Sequence, residues 1–459
     1  MTLLIVTILV LAYLLIATEN LTNINKAAVA IFASALGWVL YICYGTDFVM
    51  SQHNSEYLVF LGKTLSTSTS VKHYIAQNIF LPYVGRASEV VLFLLATMTI
   101  VEILNNNGCF DFVRQLLRTR NSRKMLWTLS VVTFIISANL DNLSTTVMML
   151  TIMHSIIPNR RQRMIYGSAI VVSANCGGAL TVIGNPEGLV LWNLGAVTAT
   201  NFSADLAIPC MLAWSIPTYL MGRMLPEHVD TEWITMPYRG DDTRLNIWQR
   251  LLMLFVGIGG LWFIPTFRDI TKLSPFLGAM CVLAILWIVN EIFNRKLMNS
   301  DMMAQHRVPQ VLQYGVIQMM LYVMGMMLAI GVVVETGAIE WVWNYLESYL
   351  HNIWIYGLIA GAISSVLENF ATAMSFFSLS PFTVQSLADT SSMIGTNGAY
   401  WKIIAFSVMA GGNILAIGSI SGVALLKMEN MHLGWYFRNV GWKCLLGMIA
   451  GLVGLWFVV

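Results

Sequence analysis

The sequence predicts an all-α polytopic membrane protein built from two inverted repeats, each with a re-entrant hairpin and a broken transmembrane helix. Three observations carry that prediction. Of the 459 residues, 57% are hydrophobic and 10% charged, with a mean hydropathy of +0.70, a balance that a water-facing surface of this size does not tolerate. Polar residues interrupt two apolar segments at mid-length, at 125–158 and 352–380. Three blocks of the first half recur in the same order in the second.

A bilayer core of about 30 Å asks for roughly 20 mainly apolar residues per helix. Such stretches lie at 2–18, 26–44, 88–104, 205–221, 250–264, 274–291, 311–334 and 439–458. The first has no basic leader and no small-residue cleavage site, so it is expected to be a retained helix. Residues 51–82 are polar with some aromatics and read as an outside loop or surface helix. The six cysteines show no CxxC or metal-ligand spacing, which argues for small apolar fillers over a disulfide framework or zinc site. The seven histidines fall in or near loops, so no nucleophile-base or metal cluster marks a membrane-embedded enzyme. A net charge of +2 without a basic stripe argues against a nucleic-acid partner.

Lysine and arginine mark the cytoplasmic side. Arg114, Arg118, Arg120, Arg123 and Lys124 precede the segment 125–158, and Arg160, Arg161 and Arg163 follow it. With both clusters inside, that segment enters the membrane and returns. Its centre, Ser137-Ala-Asn-Leu-Asp141-Asn142-Leu-Ser144-Thr145-Thr146, suits a protein-lined hairpin tip better than a lipid-facing helix. The loops at 223–250 and at Arg295, Lys296 and Arg307 are cytoplasmic by the same rule, whereas Glu335, Glu340 and Glu347 stand outside without basic neighbours. The segment from Asn352 to about Ser380 then reads as a hairpin entering from the opposite face, and the chain returns inside at Lys427 and Arg438. The resulting division is 1–85 for N-terminal scaffold helices and an outside loop, 86–221 for repeat 1, 222–310 for cytoplasmic loops and linking helices, and 311–459 for repeat 2.

The internal matches place Gly108 over Gly337, Asp141 over Glu368, Asn142 over Asn369, Gly184 over Gly418 and Gly188 over Gly422. Inverted repeats with broken helices point to a transporter, with its site where the breaks meet near the midplane. An ionisable residue at membrane depth is costly and kept for a use. Asp141 with Asn142, Ser144, Thr145 and Thr146, and Glu368 with Asn369 and Thr372, offer oxygen ligands to a small hard cation, and sodium is expected at the two acids. A buried carboxyl drifts toward neutral pKa, so a proton can compete for the same oxygens. The glycine-rich breaks add Asn175, Asn185 and Glu187 in one half and Asn413 and Ser419 in the other. Glu89 and Glu102 are weaker proton-path candidates, Glu89 reading as interfacial.

The phrases SANLDNLSTTVMM, SANCGGALTVIGN and GGNILAIGSISGVALLKME resemble the NhaD-type sodium/proton antiporters, which share a superfamily with arsenite permeases and divalent-anion/sodium symporters. The resemblance runs from about Leu92 onward. It implies a scaffold and a transport domain, a homodimer, elevator-like alternating access in the inner membrane, and monovalent cations and protons as substrates with no cofactor. The family pattern has an aspartate at Asn185 and an aspartate-asparagine pair at Glu368-Asn369; Glu187 can supply the missing acid. The competing reading is an anion carrier on the same scaffold, coupled to sodium or protons and taking a dicarboxylate or arsenite-like substrate. Acids at both tips, and the expected lack of a lysine or arginine near them at membrane depth, oppose it.

Overall fold

The computed structural model describes residues 1–22, 24–62, 65–117, 119–229, 245–294, 314–349, 352–379 and 393–459. Arg118, Arg295, Lys296, Arg307, His306, His351 and the end of the second hairpin segment at Ser380 lie outside them. Apart from an isolated bridge between Asn121 and His228, the regular structure among the described residues is helical.

Among the described residues, eight helices are long and apolar enough to cross a membrane: Lys26–Cys43, Ser68–Asn106, Ala199–Gly222, Ile247–Thr271, Pro275–Asn294, Val316–Glu335, Ala399–Met428 and Leu433–Val458. Seven coincide with apolar stretches expected from the sequence. Thr2–Ala17 is apolar but only 16 residues long, and Ala399–Met428 joins the set although a break divides it. The segment 51–82 departs from the outside-loop reading. Its last part is helical from Ser68, passes through a π turn at Ile75–Phe80 and continues as one 39-residue helix to Asn106. Its polar residues thus extend a span, while 54–61 forms a short helix of its own.

We label the helices that position the site in chain order: α1 Thr2–Ala17, α2 Lys26–Cys43, α3 Leu81–Asn106, α4 Ser122–Asn139, α5 Asn142–Ile156, α6 Arg160–Leu180, α7 Pro186–Asn193, α8 Ala199–Gly222, α9 Gly260–Thr271, α10 Pro275–Asn294, α11 Tyr314–Glu335, α12 Ile353–Ser364, α13 Asn369–Leu379, α14 Ala399–Leu415, α15 Ile420–Met428 and α16 Trp442–Val458. Their packing sorts into two groups. In one, α2 lies along α11, α1 along α2, and α3 along α10 and α11. In the other, α6 packs on α4, α5, α8 and α14, while α14 packs on α12, α13 and α16. The groups meet chiefly at α11 with α13, and at α3 with α5 and α7.

Local chemistry explains where the chain breaks. Asn121, Asp141, Asn159, Asn185, Asn352 and Ser419 each cap the following helix by accepting a hydrogen bond from a backbone N–H in its first turn. Each such cap stabilises its helix by about 1 kcal/mol. Pro186 adds a preset φ at the first position of α7. Gly108 and Gly337, aligned in the sequence, each follow a long helix with left-handed φ, +66° and +74°, where a Cβ is strained. The cysteines are free; Cys109, Cys176, Cys210 and Cys444 are buried as fillers should be, but Cys43 and Cys281 are exposed.

Candidate ion-binding site

Four helix starts build the site: α5 and α13 at the ends of the short helix pairs, α7 and α15 after the glycine-rich breaks. Each cap belongs to a residue singled out from the sequence. Asp141 Oδ2 accepts from Ser144 N at 2.7 Å. Glu368 Oε2 accepts from Phe370 N and Ala371 N at 3.0 and 3.3 Å. Asn185 Oδ1 accepts from Gly188 N at 2.8 Å and Ser419 Oγ from Gly422 N at 3.0 Å. The partial positive charge of a helix start favours the ionised acids, while burial opposes it.

The starts pair across the two halves. Helix α5 packs against α15, and Ser421 Oγ donates to Asn142 O at 3.4 Å. Helix α7 packs against α13, and Glu187 feels the charges of both Glu368 and Lys26. The short helix pairs also clasp the breaks behind them: Ser137 Oγ donates to Ala174 O at 2.6 Å, Thr181 Oγ1 to Ala138 O at 2.6 Å, and Asn369 N to Gly418 O at 2.8 Å.

A buried amide chain runs between the two regions. Asn142 Nδ2 donates to Asn175 Oδ1 at 3.3 Å, and Asn175 Nδ2 to Asn413 Oδ1 at 2.8 Å. Asn369 Nδ2 meets Met409 Sδ at 3.3 Å. The three blocks align Asn142 with Asn369 and Asn175 with Met409, so one contact occurs in both halves with sulfur standing in for an amide oxygen. Asn175 is fully buried and Asn413 is 2% exposed, which demands that their amides be satisfied within the protein.

Among the described residues, Asp141 Oδ1, Thr145 Oγ1 and Glu187 Oε2 are buried in this region with no hydrogen-bond partner. Asp141 and Glu187 are each 3% exposed. An unsatisfied buried carboxylate oxygen costs free energy unless a ligand or proton completes it. Other expected ligands are engaged locally. Thr146 and Thr372 donate to the carbonyls of Asn142 and Glu368 one turn back, and Asn185 and Ser419 are committed as caps. Glu89 ties two elements together, accepting from Asn193 Nδ2 at 2.7 Å and Ser274 Oγ at 3.0 Å.

One expectation fails. A basic side chain does stand near a tip: Lys26 Nζ is 4.0 Å from Glu368 Oε1 and 4.5 Å from the centroid of the Tyr322 ring. Tyr322 donates to Glu368 Oε2 at 2.7 Å. Neither Lys26, at the start of α2, nor Tyr322, within the apolar α11, is singled out by the sequence. Folding brings both to the acid because α2 packs closely on α11, where a Cβ at Gly325 would fall 2.7 Å from Ile31 N.

The model of a family described as citrate transporter matches residues 13–411. The chain is 30% identical to sodium/proton antiporter 1 of Arabidopsis thaliana over 376 residues, which are 80% of this chain and 61% of that protein. It is 27% identical to sodium/proton antiporter 2 of the same plant over 452 residues, 96% of each chain. It is 23% identical to the Na(+)/H(+) antiporter NhaD of Vibrio cholerae over 459 residues, 93% of this chain and 87% of that one. The chain belongs to the citrate transporter family, and its likeness to the NhaD-type antiporters extends over most of its length.

Proposed function

We propose that this multi-pass membrane protein is a transporter, not an enzyme, and exchanges sodium, with lithium as a further candidate, for protons. The observation that carries the reading is the pair of buried acids at helix starts in regions that hold open carboxylate oxygens, Asp141 Oδ1 in one and, in the other, Glu187 Oε2 on α7, which packs on the α13 that Glu368 begins. A carboxylate at such a place accepts either a proton or a small cation, and the two compete for one pair of oxygens. Asp141 with Asn142, Ser144 and Thr145, and Glu368 with Glu187, supply the first ligands. Asn175 and Asn413 orient them, and Asn185 and Ser419 fix the helix starts. The relatives' names point the same way.

The matched contacts of Asn142 and Asn369, the aligned left-handed glycines and the paired caps support two repeats related by inversion, with α4–α5 and α12–α13 as re-entrant hairpins. In that arrangement the group containing α2, α3 and α11 is the scaffold, and the group containing the hairpins moves between the faces of a cytoplasmic membrane as a homodimer's transport domains. The sequence division at 1–85, 86–221, 222–310 and 311–459 follows the same plan.

An anion carrier is favoured by the family's description and by Lys26. Lys26, however, is already matched by Glu368, and three acids around the tips repel a carboxylate substrate. Everted vesicles with a pH-sensitive dye separate the readings. Sodium is expected to dissipate an imposed proton gradient for the parent chain, and Asp141→Asn to abolish the effect; a variant as active as the parent removes Asp141 from the mechanism.

A further inference from the structure

The contacts at Glu368 come from both packing groups. Glu368 stands at the start of α13, which packs on α14 in the hairpin group. Lys26 opens α2 and Tyr322 lies in α11, which pack along each other in the other group. The ammonium sits at 4.0 Å from one carboxylate oxygen and the phenol donates to the other at 2.7 Å. The lysine also lies over the tyrosine ring at 4.5 Å, which adds a cation–π attraction and holds the two donors in one arrangement. Side-chain exposure is 16% for Lys26 and 8% for Glu368, so the pair is only weakly screened. Four other polar groups bear on it: Glu187 of α7, Glu19 at the start of the short helix Glu19–Thr22 before α2, Lys427 of α15 and Tyr13 of α1.

We propose that Lys26 and Tyr322 form a charge-sensitive latch that fastens the Glu368 tip to the α2–α11 pair while Glu368 is ionised and holds no cation. The proposal rests on the exchange reading above and adds its coupling rule. An exchanger must keep its empty carrier from crossing, or sodium leaks without a returning proton. An ionised, empty Glu368 attracts Lys26 and accepts from Tyr322. Sodium or a proton on the carboxylate cancels the charge that Lys26 pairs with, and the tip is freed in the two loaded states only. Tyr13 Oη, 2.6 Å from Ser375 Oγ between α1 and α13, is a neutral contact across the same boundary and does not discriminate between the states.

The test is the ratio of protons to sodium ions moved by the full chain in proteoliposomes, with equal pH on both sides and the potential clamped at zero. The parent is expected to hold a fixed ratio. Lys26→Gln is expected to keep moving sodium while the ratio falls several-fold, and Lys26→Arg to restore it. A parent ratio in Lys26→Gln overturns the latch. Should Lys26→Gln move neither ion, Tyr322→Phe decides: a lowered ratio carries the latch, a parent ratio overturns it. Sodium flux without proton return in the parent itself removes the exchange reading and the latch with it, an outcome distinct from failure of the latch alone.

Discussion

At the scale of single residues, the site is a set of helix caps with uneven occupancy. Asp141 uses one carboxylate oxygen as a cap and leaves the other open, whereas Glu368 has both oxygens near donors. The two acids align in sequence but do not carry the same load, and their variants should differ. Glu368→Gln leaves Lys26 without its partner, so it is expected to lower protein stability as well as exchange, by the roughly 3–5 kcal/mol typical of breaking a buried pair. Asp141→Asn keeps the cap and should cost exchange with little loss of stability. Thermal unfolding in detergent beside the flux assay checks both, and equal stability of the two variants would contradict the asymmetry. Both acids and their amide neighbours were legible in the sequence because a charge in an apolar segment is conspicuous. Lys26, Tyr322 and Met409, the sulfur partner of Asn369, were not, because each is ordinary in its own helix and becomes significant only through packing.

At the scale of elements, the breaks depend on backbone contact. A Cβ at Gly184 would lie 2.6 Å from Gly178 O and 2.9 Å from Ser137 O, below any ordinary contact. Gly184→Ala is expected to destabilise by about 1–3 kcal/mol and to lower exchange, since the end of α4 at Ser137 must move off the break. Unchanged unfolding of that variant would place the break elsewhere. Glu429, 3% exposed, joins three elements. Arg163 Nε donates to it at 2.9 Å from α6, His154 Nδ1 lies at 3.2 Å from the end of α5, and α15 ends beside it. Glu429→Gln is expected to loosen α5 from α15, read as faster amide exchange in residues 142–156. The break positions themselves were legible from glycine and proline, while the continuous helix through 68–106 was not. Its π turn carries polar residues inside a span, and polarity alone reads as a loop.

At the scale of the whole molecule, one contact makes stability respond to pH outside the spans. His53 Nε2 is 2.7 Å from Glu335 Oε2 and its Nδ1 is 3.3 Å from Glu56 Oε2. The hydrogen bond to Glu335 is the main reason that the His53 pKa is raised above its ordinary value, burial acting against it. A raised pKa means that folding favours the protonated ring. The contribution is therefore complete below the ordinary histidine range and is lost as pH climbs through the raised folded value. Tyr83 donates to the other Glu335 oxygen at 2.7 Å and persists in either state. The parent is expected to lose thermal stability across that window, upward from the ordinary histidine range, by more than His53→Gln does, and parallel curves would remove the pair as the cause. Seven of the eight candidate spans among the described residues were legible from hydropathy, but the division of the helices into two packing groups was not, because it depends on which apolar faces meet.

The central claim is exchange of sodium for protons at the paired acids, and purified protein in proteoliposomes tests it most directly. An inward sodium gradient, at clamped potential with an internal pH dye, should drive protons out, and a citrate gradient of the same size should drive none. Proton movement with citrate and none with sodium, at every pH from mildly acidic to alkaline, would contradict the account and assign the scaffold to an anion.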